Sequence, residues 1–329
     1  MKRNSRFRRL LPCLLIAALC TALPVSAALF NTQEAPQAVT VAALQRGDNL
    51  PPIAENLEIA TYKNVAIQGF FAAMDPDGDP VTFHVTKNPA RGELMFHGDD
   101  PTQFTYTPYE NKTGKDSFTY VAEDNQGNRS QEATVKIKIE KPSTKVTYAD
   151  LDGHPAHKAA LCLAEEGVLV GEQMGRSYFF HPDATVSREE FLAMAMDALD
   201  MKIMDQVSVT GFTDDDAIAT WAKPYVASAL QAGMIQGSHN DLGQIVFQPS
   251  STITQAEAAV LLDRLLSLSD ITAQLPTFAQ NAAPAWAYQS VVNLETAGVL
   301  GATASPQTTL TRAQAAMMLD GALTFTKHR

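Results

Sequence analysis

Two arginines stand where a side chain could recognise an anion. Arg188 and Arg312 each follow a hydroxyl residue, Ser187 and Thr311, that opens a run of apolar residues at helical spacing. Ser or Thr at that position accepts a free backbone N–H of the first helical turn, and an acid or amide three places on reaches back to the cap. The box occurs three times, as Ser187-Arg188-Glu189-Glu190, Thr254-Gln255-Ala256-Glu257 and Thr311-Arg312-Ala313-Gln314. A guanidinium there adds a two-pronged donor to a helix end whose free N–H groups already favour negative charge, so the expected chemistry is capture of a carboxylate. Thr254-Gln255 supplies the cap without the charge, and weak or absent binding is expected at it. Trp221 and Trp286 occupy matching positions, where a flat ring could stack on a sugar or pack into a core.

Other chemistry finds less to stand on. Asp75, Asp77 and Asp79 in the run Asp75-Pro76-Asp77-Gly78-Asp79 could offer oxygens to Ca²⁺. The competing expectation is a polar turn in which the Asp side chains bond local N–H groups and Gly78 supplies a positive φ. The seven histidines fall into no metal-ligand spacing, and no serine has a nucleophile-elbow context. Glu165-Glu166 and Asp214-Asp215-Asp216 fit solvated faces and turns, although two acids distant in sequence would still be compatible with glycoside hydrolysis. These residues favour binding over catalysis.

The elements that must position the arginines repeat with them. Upstream of each box a glycine ends another apolar helix: Gly167, Gly233 and Gly298, spaced 66 and 65 residues apart. A hydrophobic pair and a second glycine follow, in Gly167-Val168-Leu169-Val170-Gly171, Gly233-Met234-Ile235-Gln236-Gly237 and Gly298-Val299-Leu300-Gly301. The first glycine suits the left-handed residue that closes a helix. Aromatic residues, Tyr148, Phe212 and Phe278, open the units, and Trp221 and Trp286 each precede their glycine by 12 residues. Self-similarity at a fixed period signals one supersecondary unit stacked on copies of itself. The combination of aromatic-x-Asp, Trp-Ala, Gly-closed helix, Phe-x-Pro and capped helix resembles the S-layer homology (SLH) repeat of bacterial cell-surface proteins. It covers residues 148–325, in units of about 148–203, 212–268 and 278–325.

That resemblance implies a mainly α pseudo-trimer of three helical repeats. It also implies that acidic, commonly pyruvylated, secondary cell-wall polysaccharide binds in grooves between repeats. Arg188 and Arg312 are then the carboxylate ligands, with Ser187 and Thr311 shaping the helix starts, Thr254 and Gln255 forming the weaker counterpart, and Trp221 and Trp286 lining the grooves. The sequence departs from the pattern at Gln255, at Pro155 in the first Trp position, and at Gln280 where Asp150 and Asp214 stand. At most two strong grooves are therefore expected.

The rest of the chain fits export and display. Residues 1–27 combine Lys2, Arg3, Arg6, Arg8 and Arg9 with an apolar run and Val25-Ser26-Ala27, the pattern of a secretory signal peptide. Cleavage after Ala27 is preferred to lipidation of Cys20, because Leu19 precedes that cysteine where a small residue is wanted. Removing it takes the formal charge from −11 to −16, which argues against nucleic acid as partner. No later stretch is expected to span a membrane. Cys162 is then the one cysteine left and reads as a small buried hydrophobe. After a leader at 28–50, alternating segments at 64–71, 81–85, 104–106, 117–121 and 134–139 predict an antiparallel β-sandwich over residues 51–140. It resembles bacterial immunoglobulin-like or cadherin-like surface modules, which implies a stalk or an adhesion unit with a protein or glycan partner. Residues 141–147 read as a linker. The reading is a non-catalytic surface protein held to the wall without a covalent bond and without a cofactor. A wall-associated polysaccharide-processing enzyme and an adhesin acting through the sandwich are its rivals.

Overall fold

The computed structural model describes residues 49–98, 100–271, 278–301 and 304–328, apart from the side chains of His97, Phe278 and His328. The expected signal peptide and all but the last two residues of the expected leader lie outside the described residues, as does the ring of Phe278.

Nine strands form the first region: β1 (Ile53–Ala54), β2 (Leu57–Tyr62), β3 (Ile67–Phe70), β4 (Ala73–Met74), β5 (Thr82–Lys87), β6 (Gly92–His97), β7 (Asp100–Pro108), β8 (Gly114–Glu123) and β9 (Ala133–Glu140). A four-stranded sheet, β2-β9-β8-β5, and a three-stranded sheet, β3-β7-β6, share one core; β1 and β4 pair alone. Alternation makes that core. Along β9, Ala133, Val135, Ile137 and Ile139 are buried while Lys136 and Lys138 face solvent. Phe104, Tyr106, Phe118 and Tyr120 fill the centre from β7 and β8. Tyr106 donates to Asp116 at 2.8 Å, and burial followed by that bond pushes its phenol well above the ordinary range.

The sandwich is not wholly antiparallel, as its alternation had suggested. β2 runs parallel to β9, with Leu57 opposite Val135 and Tyr62 opposite Glu140. These strands are far apart in sequence, so no hairpin turn dictates their direction.

The helical region contains α1 (His157–Glu166), β10 (Glu172–Met174), β11 (Ser177–Phe179), α2 (Arg188–Ala198), α3 (Lys223–Gln231), β12 (Ser238–His239), β13 (Ile245–Val246), α4 (Gln255–Leu266), α5 (Phe278–Ala282), α6 (Tyr288–Thr296) and α7 (Arg312–His328). Helix, glycine-closed turn, two-stranded hairpin and capped helix follow one another twice. In the last unit the described residues between Gly298 and Thr311 hold no strand. Residues 141–147 are tied down: Tyr62 donates to Glu165 of α1 at 2.7 Å, and the Ser143 amide bonds the other oxygen of that carboxylate. Tyr62 and Val65 of the sandwich pack into the helical core.

The three residues just before the caps meet at a hub. The Ile253 amide donates to the Val186 carbonyl at 3.0 Å, Val186 to Leu310 at 3.1 Å, and Leu310 to Ile253 at 2.8 Å, closing a ring. Their side chains are 3%, 1% and 0% exposed. β-branched and leucine side chains suit this position because the backbone is extended and its apolar face is fully enclosed. The ring sets α2, α4 and α7 at equivalent places about one centre.

Candidate functional site

The helix starts are joints. Each box closes as expected: Glu190 N–H donates to Ser187 Oγ at 3.3 Å, Glu257 N–H to Thr254 Oγ1 at 3.2 Å, and Gln314 N–H to Thr311 Oγ1 at 3.2 Å. The next free amides are spent on a neighbouring unit. Arg188 and Glu189 donate to the carbonyls of Ser251 and Pro249. Gln255 and Ala256 donate to Thr308 and Pro306, and Arg312 and Ala313 to Ala184 and Pro182. The expectation that unpaired helix-start amides would hold an anion is therefore corrected, because those donors already have backbone acceptors. Ser187, Thr254 and Thr311 cap their helices; from these helix starts Glu257 and Glu190 line two grooves together with the guanidinium groups of Arg188 and Arg312.

Those two groups enter grooves of the same construction. One, of about 440 Å³, has Arg188 at its head, the turn Met234–Ile235 and the α4 residues Glu257 and Arg264 along its sides, and Trp286 across from them. The other, of about 320 Å³, has Arg312, the turn Val168–Leu169, Glu190 and Asp197 of α2, and Trp221. Each groove thus takes its arginine, its walls and its tryptophan from three successive units. Trp221 is 52% exposed and Trp286 62%, which decides between core and groove in favour of the groove.

A ring supports each arginine. The Arg188 guanidinium lies 5.6 Å from the centre of Phe247, and that of Arg312 lies 5.3 Å from Phe180. Those rings are fixed from beneath by acids. Asp214 accepts the amides of Phe247 and Gln248 at 2.8 and 2.7 Å, and Asp150 accepts those of Phe180 and His181 at 2.9 and 2.7 Å. Both carboxylates thereby hold a non-glycine residue at positive φ, Gln248 at 59° and His181 at 57°. Gly237, at φ 74° just before β12, packs against Phe212, and a Cβ there would fall 2.6 Å from that ring. Neighbouring Asp215 is held down to about 2 by Lys223, which donates to it at 2.6 Å, and by Thr210.

The arginines differ in their partners. Arg188 donates from Nη1 to Glu257 at 2.7 Å and from Nε to the Phe247 carbonyl at 3.0 Å. The Nε of Arg312 is buried and meets no acceptor among the described residues. A donor left so costs stability unless something outside the protein satisfies it.

The Gln255 position is built differently among the described residues. Gln255 is 3% exposed, and Ala304 stands where Phe180 and Phe247 stand. Gly321 of α7 comes so close that a Cβ would lie 2.9 Å from Val299 Cα, so the Val299–Leu300 turn is buried against the helix. Sequence reasoning did not pick out Phe180 and Phe247 as supports, or Asp197, Tyr225 and Arg264 as groove walls. The first pair was visible in the shared Phe-x-Pro; the others had no signal beyond helical spacing.

Asp75, Asp77 and Asp79 do not converge on a common point. Asp75 accepts the amides of Asp77 and Asp79 at 2.9 and 3.1 Å, Asp77 accepts that of Leu50 at 2.7 Å, and Asp79 accepts from Asn125 at 3.2 Å. The two bonds to Asp75 are turn bonds and the other two tie the turn to distant segments, and among the described residues no group of three or more His, Cys, Asp or Glu is placed to hold a metal. No described helix is long and apolar enough to cross a membrane. Burial, with the neighbouring Asp320 carboxylate, pushes the Cys162 thiol up to about 12, so it is neutral.

Comparison with known proteins matches the bacterial Ig domain family to residues 49–138 and the S-layer homology domain family to residues 211–259, the second of the helical units. The chain is 36% identical over 91 residues to an amylopullulanase of Thermoanaerobacterium thermosulfurigenes, covering 27% of this chain and 5% of that protein. It is 36% identical over 107 residues to the exoglucanase XynX of Acetivibrio thermocellus, covering 32% and 9%. With the surface-layer 125 kDa protein of Lysinibacillus sphaericus it shares 33% identity over 116 residues, covering 35% and 9%. The chain thus spans less than a tenth of the length of these curated relatives. It is a cell-surface protein in which a bacterial Ig domain precedes an S-layer homology domain.

Proposed function

We propose that the three helical units are three SLH repeats and that they hold the protein to the cell wall by gripping acidic, pyruvylated polysaccharide in the Arg188 and Arg312 grooves. The observation that carries this reading is the shared construction of those grooves: a guanidinium over an aromatic ring shares a mixed polar and apolar trough with an exposed tryptophan. A sugar bearing a carboxylate matches both walls, with its charge on the arginine fork and its flat face on the indole. In the Arg312 groove a ligand oxygen would also satisfy the buried Nε.

The protein acts as a binder and not a catalyst in this reading. Tyr62, Tyr106 and Cys162 are raised by burial in cores and joints away from both grooves, while Tyr225 in the Arg312 groove is raised by burial and by its bond to Asp197. The sandwich, bonded to α1 through Tyr62 and Glu165, serves as a stalk that moves with the anchor. The test is co-sedimentation of the chain with cell-wall sacculi before and after their acidic polysaccharide is stripped. Sedimentation that disappears on stripping is expected. Sedimentation that persists would contradict the reading.

A further inference from the structure

The residue ten places after each cap differs in a way that bears on what each groove can hold. It is Arg264 on α4, Asp197 on α2 and Gly321 on α7. Arg264 and Asp197 each line their groove at the end away from the head arginine. Arg264 uses Nη1 on the Met234 carbonyl at 3.0 Å and is otherwise exposed, so most of its fork faces solvent. Asp197 is oriented by Tyr225, whose hydroxyl lies 3.0 Å from both carboxylate oxygens.

The charges along the two grooves are therefore opposite in balance. The Arg188 groove sets two guanidinium groups against one carboxylate, Glu257, and Arg188 is already paired with that acid. The Arg312 groove sets one guanidinium against two carboxylates, Glu190 and Asp197. Arg264 and Asp197 are exposed, so their charges act at contact range and are screened by salt, and reversing one of them changes which anions fit at low ionic strength.

We infer that this position determines specificity: Arg264 makes the Arg188 groove a seat for a saccharide stretch bearing two negative charges, and Asp197 restricts the Arg312 groove to one. The inference rests on the reading of the grooves as anionic-glycan sites and assigns their different ligands. In the Arg188 groove one carboxylate meets Arg188 and the next meets Arg264. In the Arg312 groove the carboxylate meets Arg312, while Asp197 accepts a sugar hydroxyl and repels a second acid.

The chain's two tryptophans make each groove separately observable. With Trp221→Phe, the remaining indole reports the Arg188 groove; with Trp286→Phe, it reports the Arg312 groove. The full chain is titrated with galacturonate, which has one carboxylate, and with digalacturonate, which has two, while indole fluorescence is followed. The Arg188 groove is expected to prefer digalacturonate by about tenfold, the size of one charge-assisted contact. Arg264→Gln should lower digalacturonate binding by about tenfold, to the level of galacturonate, and so abolish that preference. Asp197→Arg, or the milder Asp197→Asn, should bring the Arg312 groove towards the same preference.

Equal binding of the two saccharides in the Arg188 groove, or a preference that survives Arg264→Gln, would overturn the inference. If galacturonate binding meanwhile still depends on Arg188, the anionic-glycan reading stands without it. No fluorescence response to either saccharide, in a chain whose sedimentation with sacculi survives stripping, would sink both.

Discussion

Arg188 and Arg312 sit over equivalent rings at equivalent helix starts, yet one is held by two acceptors while the other leaves Nε buried without one. The backbone frame does not explain this, because the hub, the caps and the Asp-fixed Phe turns are alike on both sides. The difference lies in the box acid. Glu257 caps Thr254 with one oxygen and receives Arg188 on the other, whereas Glu190 is exposed, caps Ser187 and makes no ion pair with Arg312. A pre-paired arginine is ordered before the ligand arrives and has less left to offer it. An unpaired one costs stability at rest and gains more on binding. Affinity and order are thus divided between the grooves, and Arg264 restores to the first the charge that Glu257 neutralises.

The comparison can be broken at its shared part. Leu310→Ala removes a fully buried side chain from the hub and is expected to cost about 2–5 kcal/mol in urea unfolding, with both grooves lost together. Loss of one groove alone would show that they do not depend on a common centre. Arg188→Gln and Arg312→Gln sharpen the contrast. The first leaves Glu257 and the Phe247 carbonyl without their donor and should lower stability by about 1–2 kcal/mol, allowing for partial exposure of the pair. The second removes an unmade donor and should change the unfolding midpoint little or raise it.

Asp214→Asn loses half of the grip on the Phe247 and Gln248 amides. It should cost about 1 kcal/mol and weaken ligand binding in the Arg188 groove only, as indole fluorescence of Trp286 would report. The smallest effect is expected away from both grooves. Burial, then Asp320, raises the folded Cys162 thiol to about 12 against about 8.5 unfolded, so folding favours the protonated form. The resulting stability is fully present below pH of about 8.5 and is lost as pH rises from there towards 12. Unfolding free energies at pH 8 and pH 9 should therefore differ by about 0.7 kcal/mol more in the native chain than in Cys162→Ala.

Much of this frame was legible in the sequence. Ser187, Thr254 and Thr311 with their partners three places on announced the caps, and the spacing of Gly167, Gly233 and Gly298 announced the period. These are local signals, carried within one turn of chain. What the arginines touch was not legible, because Phe247 is 59 residues from Arg188 and reaches it only through the closed hub. For the same reason the helix-start amides looked free when neighbouring units already occupy them. The parallel register of β2 on β9 escaped because periodicity gives the face of a strand and not its direction. The close packing of the Val299 turn on α7 hangs on Gly321, which sequence alone offers as one more small residue in a helix.

The most direct test of the account is the affinity of the full chain for intact sacculi, measured by co-sedimentation for the native protein, Arg188→Gln, Arg312→Gln and the double variant. Each charge-assisted contact is worth about 1.5–3 kcal/mol, so each single change should weaken binding by roughly 10-fold or more. Arg312→Gln should have the larger effect, and the double variant should not sediment although its circular dichroism is unchanged. A folded double variant that still sediments with native affinity would contradict the assignment of the two grooves as the wall-binding site.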